Sequence, residues 1–429
     1  MYHIRFLKFP QLVVPKESGK KGSKNTKATK GSGSKLLRTV VTITNDLGEK
    51  FFFGKVTLNI VAYHLDSRGQ QVILSQKEVL WEPGFRSVIG EIENIEQLSR
   101  NTRFTETIAQ KRRKVSEDER GNFLLHKSSS LFVRIEAVNS ESAVDLLEED
   151  DETELVETDS IIAAGKCGLE FLSIISSPLS LDSEDNPDKK YAVRQLDLNT
   201  NHPNETILGI VEETGESIAK HLWDAGIYAC RRMFTNKGSD FFTSVTAPRS
   251  ILELGTGCGT VGISLSIIFP QAQVTLTDLV DAKVVCERSI YVNRQLISPD
   301  SSDTSCDTSR VHFEELEWSS PKVPFPKKAV SKTGKSKFSG VDTGCWDLIV
   351  VSDCTYNPDS YEILLSLLKR TASAKTRILL AHKYRHSRES QFFHMLTEYG
   401  FDVLDNLYIP GVADKIRVSI LQKTNGKKV

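Results

Sequence analysis

The stretch ILELGTGCGTVGISLSIIFPQAQVTLTD, residues 251–278, decides the fold of the larger part of this chain. It runs from an apolar segment into three alternate glycines and then into a helical pattern. The glycines are Gly255, Gly257 and Gly259. A strand that enters a glycine turn and then a helix brings a ligand onto bare backbone beyond the carboxyl end of the strand. The stretch therefore predicts a ligand site at one edge of a parallel sheet.

Two carboxylates narrow the class of ligand. Glu253 stands two residues before the first glycine, and a charge so close to the loop repels a pyrophosphate but suits an amine. The glycines also depart from the GxGxxG spacing of dinucleotide sites. Asp278 ends the next predicted strand, where a carboxylate accepts hydrogen bonds from a ribose hydroxyl pair. The pattern favours a ligand with an amine and a ribose over a dinucleotide.

Strand and helix patterns alternate over the second half of the chain. Apolar segments begin near residues 250, 273, 311, 346, 377, 401 and 415, with helical patterns between most of them. Residues 215–234 also show a helical stripe. Alternation of this kind predicts a seven-strand, mostly parallel sheet with helices on both faces, closed by a C-terminal antiparallel hairpin. The fold class is α/β, Rossmann-like.

The first part of the chain predicts a smaller β-rich domain over residues 1–160. Its segments are rich in Val, Ile, Thr and Phe and are separated by turn residues. The lysine-rich segment 16–35 is predicted to be a disordered loop, and the acidic run 145–160 to be a solvated linker. Strands after this run are expected to lead into a second domain, residues 161–425.

Composition limits the classes of function. A net charge of -1 over 429 residues gives no field that recruits nucleic acid, so nucleic acid is not an expected partner. No run approaches the ~20 apolar residues of a membrane span. Seven cysteines without a CxxC pair predict free thiols and no metal site. We expect a soluble monomer in the cytoplasm, with the nucleus as a second location.

The motifs resemble a known family. ELGTGCGTVGI and the LTD at 276–278 are similar to the glycine-rich and acidic motifs of the seven-strand S-adenosylmethionine-dependent methyltransferases. Four further stretches narrow the resemblance: LWDAG (222–226), LEW (316–318), SDCTY (352–356) and HKYRHSRESQFF (382–393). Over residues 205–425 the chain resembles the family-16 protein methyltransferases, known for lysine methylation of chaperones and translation elongation factors.

The resemblance implies S-adenosylmethionine as cofactor and a set of site residues. The implied cofactor-binding residues are Trp223, Glu253, Gly255, Thr256, Gly257, Gly259, Asp278, Trp318 and Ser352. Trp223 would pack on the cofactor, Asp278 would bind the ribose, and Trp318 would lie beside the adenine. The implied catalytic residues are Asp353 and Tyr356, at the entrance where the target side chain meets the methyl group. His382, Tyr384, Arg385 and His386 are candidates for substrate contacts.

A lysine acceptor constrains the roles of the two catalytic candidates. Its amine, with a pKa near 10.4, is protonated at pH 7 and has no free lone pair. Asp353 would favour the charged form, so we assign it orientation of the amine first and proton acceptance second. Tyr356 offers a ring face and a hydroxyl for positioning.

Several alternatives remain open at this level. A histidine acceptor is compatible with the same cofactor loop, and a non-catalytic scaffold with a methyltransferase-like fold would show the same motifs. A nucleobase methyltransferase is disfavoured, because DCTY lacks the prolines of its usual motif. The β-rich domain is expected to contribute to recognition of the protein substrate, whose identity the sequence does not give.

Overall fold

The computed structural model describes most of the chain in two units. The described residues are 1–13, 36–66, 69–93, 95, 130–140, 170–180, 190–198, 206–214, 220–235, 247–299, 308–326, 345–385, 389–408 and 416–424. The units are Met1–Arg194 and Gln195–Val429. The predicted lysine-rich loop (16–35) and acidic linker (145–160) lie outside the described residues.

The first unit is built from β-strands, as its composition predicts. Its strands are β1 (Tyr2–Val13), β2 (Leu36–Thr44), β3 (Val56–Leu65), β4 (Gln71–Trp81), β5 (Val88–Ile92), β6 (Ser130–Ser140), β7 (Phe171–Leu172), β8 (Ile174–Ser176), β9 (Leu179–Ser180) and β10 (Tyr191–Asp197). One sheet has the order β5-β2-β1-β7, and in the other the order β10-β8-β6-β3-β4 is joined by β9, which pairs with β6. Alternate residues of β2 are buried, among them Leu37, Val41 and Ile43, because successive side chains of a strand point to opposite faces.

Strand pairing extends this unit beyond the boundary expected at residue 160. Residues 171–172 pair with β1, and residues 175–176 pair with β10. The segments that were expected to lead into the second domain therefore complete the sheets of the first. Buried Arg194 reinforces this arrangement, since its Nη1 donates to the carbonyl oxygens of Ile4 at 2.6 Å, Leu172 at 3.2 Å and Ser173 at 3.0 Å.

Replacing Arg194 tests whether this buried guanidinium holds the strands together. Arg194→Leu leaves three buried carbonyl groups without their donor, and we expect a loss of about 3 kcal/mol or more in the free energy of unfolding. Denaturant unfolding measures it. Arg38→Leu is the control, because Arg38 forms a half-exposed ion pair with Glu91 in the same unit and its loss should cost under ~1 kcal/mol. Equal effects of the two variants would contradict the assigned role.

The second unit contains the predicted seven-strand sheet. The first strand of this unit, β11 (Ile207–Glu213), lies outside that sheet. The sheet is formed by β12 (Ser250–Leu254), β13 (Gln273–Asp278), β14 (Val311–Glu315), β15 (Leu348–Ser352), β16 (Arg377–Lys383), β17 (Phe401–Tyr408) and β18 (Ile416–Lys423). The sheet order is β14-β13-β12-β15-β16-β18-β17. The first five strands are parallel, and β18 pairs antiparallel with β16 and with β17. The prediction of a mostly parallel sheet with an antiparallel C-terminal hairpin is confirmed.

Helices lie between these strands. They are α1 (Asp224–Thr235), α2 (Thr260–Ile268), α3 (Lys283–Val292), α4 (Arg294–Ile297), α5 (Tyr361–Thr371) and α6 (Ser390–Glu398). Helix α1 begins at Asp224, later than the stripe over 215–234 predicts, so Leu222 and Trp223 precede the helix. Within the described part of the chain, no helix is long and apolar enough to cross a membrane.

Burial of the central strand fixes where the site can form. Every residue of β12 is buried, which is typical of a strand with parallel neighbours on both sides. Strands β12, β13 and β15 are parallel neighbours, so their carboxyl ends meet at one edge of the sheet. Leu254, Asp278 and Ser352 are the last residues of these three strands. The open edge beyond them is where α/β sheets bind ligands.

Candidate active site

A cavity of about 360 Å³ opens at the carboxyl edge of the sheet. Its size is within the usual range of small-molecule sites. The predicted site residues that line it are Trp223, Glu253, Gly255, Thr256, Gly257, Asp278, Trp318, Ser352, Asp353 and Tyr356. Gly259 is the predicted site residue that does not line it. The structure thus brings together residues from five separate segments of the sequence, and their roles toward a ligand stay predictions.

The alternate glycines shape the floor of the cavity. Gly255, Gly257 and Gly259 have φ angles of 66°, 53° and 85°, a left-handed backbone that side chains rarely adopt. At Gly255 a Cβ atom would lie 2.5 Å from Sγ of Cys354 and 3.3 Å from Trp318. Gly259 instead forms the N-cap of α2, and its N–H donates to the carbonyl of Thr256 at 2.8 Å. It closes the turn behind the cavity.

Glu253 holds the loop from below. Its Oε2 accepts hydrogen bonds from the Thr256 hydroxyl at 2.5 Å and from the Gly262 N–H at 3.0 Å. Burial raises the pKa of Glu253 to about 7, and the hydrogen bonds oppose this shift. Glu253 and Thr256 were both predicted to contact the ligand, and the structure shows that their side chains are hydrogen-bonded to each other.

Asp278 is bonded to the backbone of the same edge. Its Oδ2 accepts from the Gly257 N–H at 2.8 Å, and its Oδ1 accepts from the Leu279 N–H at 2.8 Å. Burial is the largest cause of a raised pKa for this carboxyl. Since a carboxylate offers about four lone-pair positions, two remain for donors that enter the cavity.

Two tryptophans and a serine complete the wall. Trp318 lies against Gly255, and its carbonyl oxygen accepts from Arg370 at 2.9 Å, which fixes the turn after β14. Trp223 is half-buried just before α1. A Cβ added at Gly226 would come within 3.3 Å of the Ser352 hydroxyl, so the glycine of LWDAG lets the first turn of α1 approach the end of β15.

Asp353 has an unusual backbone and a strong partner. Its φ angle of 55° is left-handed, a conformation that asparagine and aspartate tolerate better than most residues. Its N–H donates to the carbonyl of Ala381 at 2.8 Å. The buried carboxylate accepts two hydrogen bonds from Arg385, Nη1 to Oδ1 at 2.7 Å and Nη2 to Oδ2 at 2.8 Å. Sequence reasoning considered Arg385 only as a substrate contact and missed this pair.

Tyr356 stands at the mouth of the same cavity. It is 51% exposed, and burial of the remainder raises the pKa of its hydroxyl. Between it and Asp353, Cys354 points inward, where burial raises the pKa of the thiol well above its usual value. Asp353 and Tyr356, three residues apart, therefore both line the cavity. The thiol of Cys354 between them stays protonated.

Behind Asp353 lies a buried polar network. Nδ1 of His382 is 2.6 Å from the Thr355 hydroxyl, and its Nε2 is 3.4 Å from Oε2 of Glu389. Burial, together with the charges of Arg385 and Arg417, lowers the pKa of His382 to about 3, so the ring is neutral at pH 7. This histidine is a buried structural residue rather than a surface contact.

An ion pair joins the start of α1 to the end of β16. Nζ of Lys383 lies 2.7 Å from Oδ2 of Asp224, and both side chains are buried. No sequence signal other than the acidic residue in LWDAG pointed to this pair, because its partners are 159 positions apart. Of the remaining candidates, Tyr384 is half-buried and its hydroxyl accepts from Nη1 of Arg417 at 3.2 Å, and His386 lies outside the described residues. Among the residues that are described, no cluster of His, Cys, Asp or Glu could hold a metal ion.

Comparison with known protein families finds a match within the second unit. Residues 202–399 match the model of a family described as lysine methyltransferase. The match covers most of the second unit, which is therefore similar to this family. The resemblance drawn from the glycine, LTD and SDCTY motifs is confirmed.

Known relatives match part of this chain at modest identity. A UPF0665 family protein of Schizosaccharomyces pombe is 31% identical over 43% of this chain and 48% of its own length. EEF1A lysine methyltransferase 3 of Xenopus tropicalis is 25% identical over 44% of this chain and 69% of its own. Protein N-lysine methyltransferase METTL21A of Danio rerio is 25% identical over 42% of this chain and 68% of its own. The chain spans about half the length of the first and about two thirds of the others.

The residues that line the cavity fit S-adenosylmethionine, the cofactor that the match to a methyltransferase family implies. Gly255 and Gly257 leave the floor of the cavity without side chains, so an extended ligand can lie on the backbone. Asp278 keeps acceptor positions for the two ribose hydroxyls. Trp223 and Trp318 line the same cavity with aromatic side chains.

The glycine loop gives one prediction. Gly255→Ala places Cβ against Cys354 and Trp318 on a left-handed backbone, so we expect cofactor affinity to fall at least tenfold and stability to fall by about 2 kcal/mol. Calorimetry with S-adenosylmethionine and thermal unfolding measure the two effects. Gly48→Ala is the control, since its φ is 78° and no atom lies within 4 Å of the added Cβ.

The cause of the defect can be separated further. In a Cys354→Ala background, the close contact at Gly255 loses its nearest atom, so Gly255→Ala should cost less there than in the wild-type protein. Strain at φ of 66° would remain in both backgrounds. Unchanged affinity in Gly255→Ala would remove this loop from the cofactor site.

Glu253 gives a prediction about pH. Its pKa is about 7 in the folded protein and near 4.5 in the unfolded chain, so the folded state binds the extra proton between these values. The contribution of Glu253 to the free energy of unfolding must then fall as pH rises from 4.5 to 7 and level off above pH 7. Glu253→Gln keeps an acceptor oxygen and removes the titration. The stability of this variant relative to wild type should improve by about 3 kcal/mol across that window, at 1.36 per pKa unit.

Thermal and denaturant unfolding of both proteins without cofactor, at several pH values, give this difference. His382 titrates identically in both, so its contribution cancels in the comparison. A difference that does not vary with pH would mean that Glu253 is ionised throughout.

Proposed function

We propose that this chain is an S-adenosylmethionine-dependent protein-lysine N-methyltransferase. The observation that carries the proposal is a single cavity in which the glycine loop and Asp278 meet Asp353 and Tyr356. The glycine loop and Asp278 suit a nucleoside that carries an amino acid. Asp353 and Tyr356 suit an amine that enters from solvent. The match of residues 202–399 to a lysine methyltransferase family supports the same activity.

The proposed substrate is a lysine side chain of a protein such as a translation factor or chaperone. Two of the relatives are named as protein-lysine methyltransferases, and one of them is named for EEF1A. The proposed site of action is the cytoplasm, with the nucleus as a second location. The free thiols at Cys230, Cys258, Cys286, Cys345 and Cys354 suit a reducing compartment.

The chemistry requires a deprotonated amine held in line. When bound, S-adenosylmethionine supplies a methyl group on positively charged sulfur, whose carbon accepts a nitrogen lone pair as the C–S bond breaks. Asp353 lines the cavity and has lone pairs left beyond its bonds to Arg385, so it can accept an N–H of the target amine and fix its direction. Tyr356, half-exposed at the mouth, presents a ring face to the aliphatic and cationic parts of lysine.

Exclusion of water assists both residues. The ring of Trp318 and the buried thiol of Cys354 line the same wall, and loss of solvent lowers the pKa of an amine. Proximity and alignment would supply most of the acceleration, because the chain contributes no covalent step of its own.

Asp353→Asn tests the proposed activity. It keeps the size of the side chain and removes its charge, so we expect S-adenosylmethionine affinity within a few-fold of wild type. Transfer of labelled methyl to proteins of a whole-cell extract should fall by about 10²–10³, or 2.7–4 kcal/mol. Tyr356→Phe should lose less, since it keeps the ring face.

Asp359→Asn is the matched control, because Asp359 is exposed nearby and does not line the cavity. It should transfer methyl at the wild-type rate. A wild-type protein that binds the cofactor but labels no extract protein would sink the proposed activity, whereas a fully active Asp353→Asn variant would sink only the role of Asp353.

A further inference from the structure

The Asp353 carboxylate that faces the acceptor end of the cavity is one half of a buried ion pair. Arg385 meets it in a two-pronged arrangement at 2.7 and 2.8 Å. The side chain of Asp353 is 4% exposed and that of Arg385 is 12% exposed. At such burial the two charges strongly affect each other and any third charge nearby.

The position of Arg385 is fixed by its surroundings. Its backbone N–H donates to Glu389 at 2.9 Å, and its Nη1 also reaches the carbonyl of Lys383 at 3.4 Å. Its Cζ lies 5.5 Å from the centre of the Trp223 ring. A planar guanidinium held by backbone, carboxylates and a ring is pre-organised, so little freedom is lost in keeping the pair formed.

Arg385 approaches Asp353 from outside the cavity. Asp353 is among the residues that line the described cavity, whereas Arg385 is not. The guanidinium occupies two of about four lone-pair positions of the carboxylate. The others remain available to an N–H donor that arrives through the cavity.

Without Arg385, Asp353 would work against the reaction. A carboxylate with no partner, within ~4–6 Å of an amine, raises the pKa of that amine by about 1–3 units. Lysine already starts near 10.4, and its protonated form has no lone pair to give. A positive partner on the far side of the carboxylate reduces this effect and leaves the hydrogen-bonding oxygens in place.

We propose that Arg385 is a positioning residue that offsets the charge of Asp353, so that Asp353 orients the target amine without holding it protonated. The inference rests on the proposed lysine methyltransferase activity. It assigns to one arginine a task that neither the cofactor loop nor Tyr356 can perform, because none of them carries a fixed positive charge against Asp353.

Removing Arg385 takes away one of the charges that lower the pKa of His382, but burial, the largest cause, remains, so His382 stays neutral from pH 7 to 10 in wild type and variants. Burial likewise keeps Cys354 protonated. The remaining titratable or charged groups near the cavity and the pair, among the described residues, are His221, Asp224, Glu253, Cys258, Asp278, Glu317, Tyr356, Lys383, Tyr384, Glu389 and Arg417. A difference between wild type and a variant at Arg385 therefore isolates the charge of that residue.

The first experiment is a pH–rate profile for the extract protein that wild type labels. Arg385→Gln should lose at least tenfold in rate at pH 7, and the rising limb of its profile should move up by about one pH unit or more. Near pH 10 its rate should return to within a few-fold of wild type. Arg385→Lys keeps the charge but not the two-pronged contact, so the rising limb of its profile should stay at the wild-type pH while its rate falls. Arg294→Gln should change nothing. A loss that is equal at every pH would indicate a structural role and overturn the inference.

The second experiment needs no turnover. Calorimetry at pH 7 measures n-butylamine, the protonated lysine side-chain analogue, binding to the protein saturated with S-adenosylhomocysteine. The inference expects Arg385→Gln to bind this cation about tenfold more tightly than wild type, whereas a variant that is merely damaged would bind it more weakly.

The two experiments separate the proposals. Equal or weaker binding by Arg385→Gln, or no measurable binding by either protein, overturns the role of Arg385 even if wild type methylates a protein. Tighter binding in a protein that labels no extract protein supports the charge effect and removes the proposed activity.

Discussion

The cavity takes its shape from one buried carboxylate. Glu253, near the end of the central strand β12, bonds the hydroxyl of Thr256 in the glycine loop and the N–H of Gly262 in the first turns of α2. Strand, loop and helix are thereby fixed to one another. The helix can come this close only because Gly262 has no side chain, since a Cβ there would lie 2.6 Å from Oε2 of Glu253 and 2.2 Å from Leu276. The floor of the cavity follows from this packing.

Three of the acidic residues that line the cavity, Glu253, Asp278 and Asp353, differ in their hydrogen-bond partners. Glu253 bonds a hydroxyl and a backbone N–H, and its pKa rises to about 7 because burial outweighs both bonds. Asp278 bonds two backbone N–H groups. Asp353 alone of these three has a guanidinium as partner. In the proposed reaction these differences suit three tasks, since Glu253 shapes the loop, Asp278 would accept the ribose hydroxyls, and Asp353 would direct the amine.

Buried charges also fix the wall opposite the loop. The Lys383–Asp224 pair connects β16 to the start of α1, immediately after Trp223. Removing one member of a buried pair leaves an unpaired charge and is strongly destabilising, although such pairs add little net stability over apolar residues. The pair therefore ties the first residue of α1 to the end of β16. Trp223, which immediately precedes the helix, lines the cavity, and the centre of its ring lies 5.5 Å from Cζ of Arg385.

The sequence by itself determined the order of elements, the glycine loop and the family. The alternate glycines, the aspartate that ends β13 and the Asp353–Tyr356 spacing are local features of the sequence. Each can be interpreted at its own position, from the backbone conformation or the ligand contact that it permits. The mostly parallel sheet and its antiparallel hairpin also followed, because alternating strands and helices allow few arrangements. Only the tertiary structure decided which polar side chains are partners. Asp353 and Arg385 are 32 positions apart and Asp224 and Lys383 are 159 apart, so no local pattern links them. The same holds for the strands after residue 170, which pair with the N-terminal sheets because hydrogen bonding between strands depends on register in space and not on position along the chain.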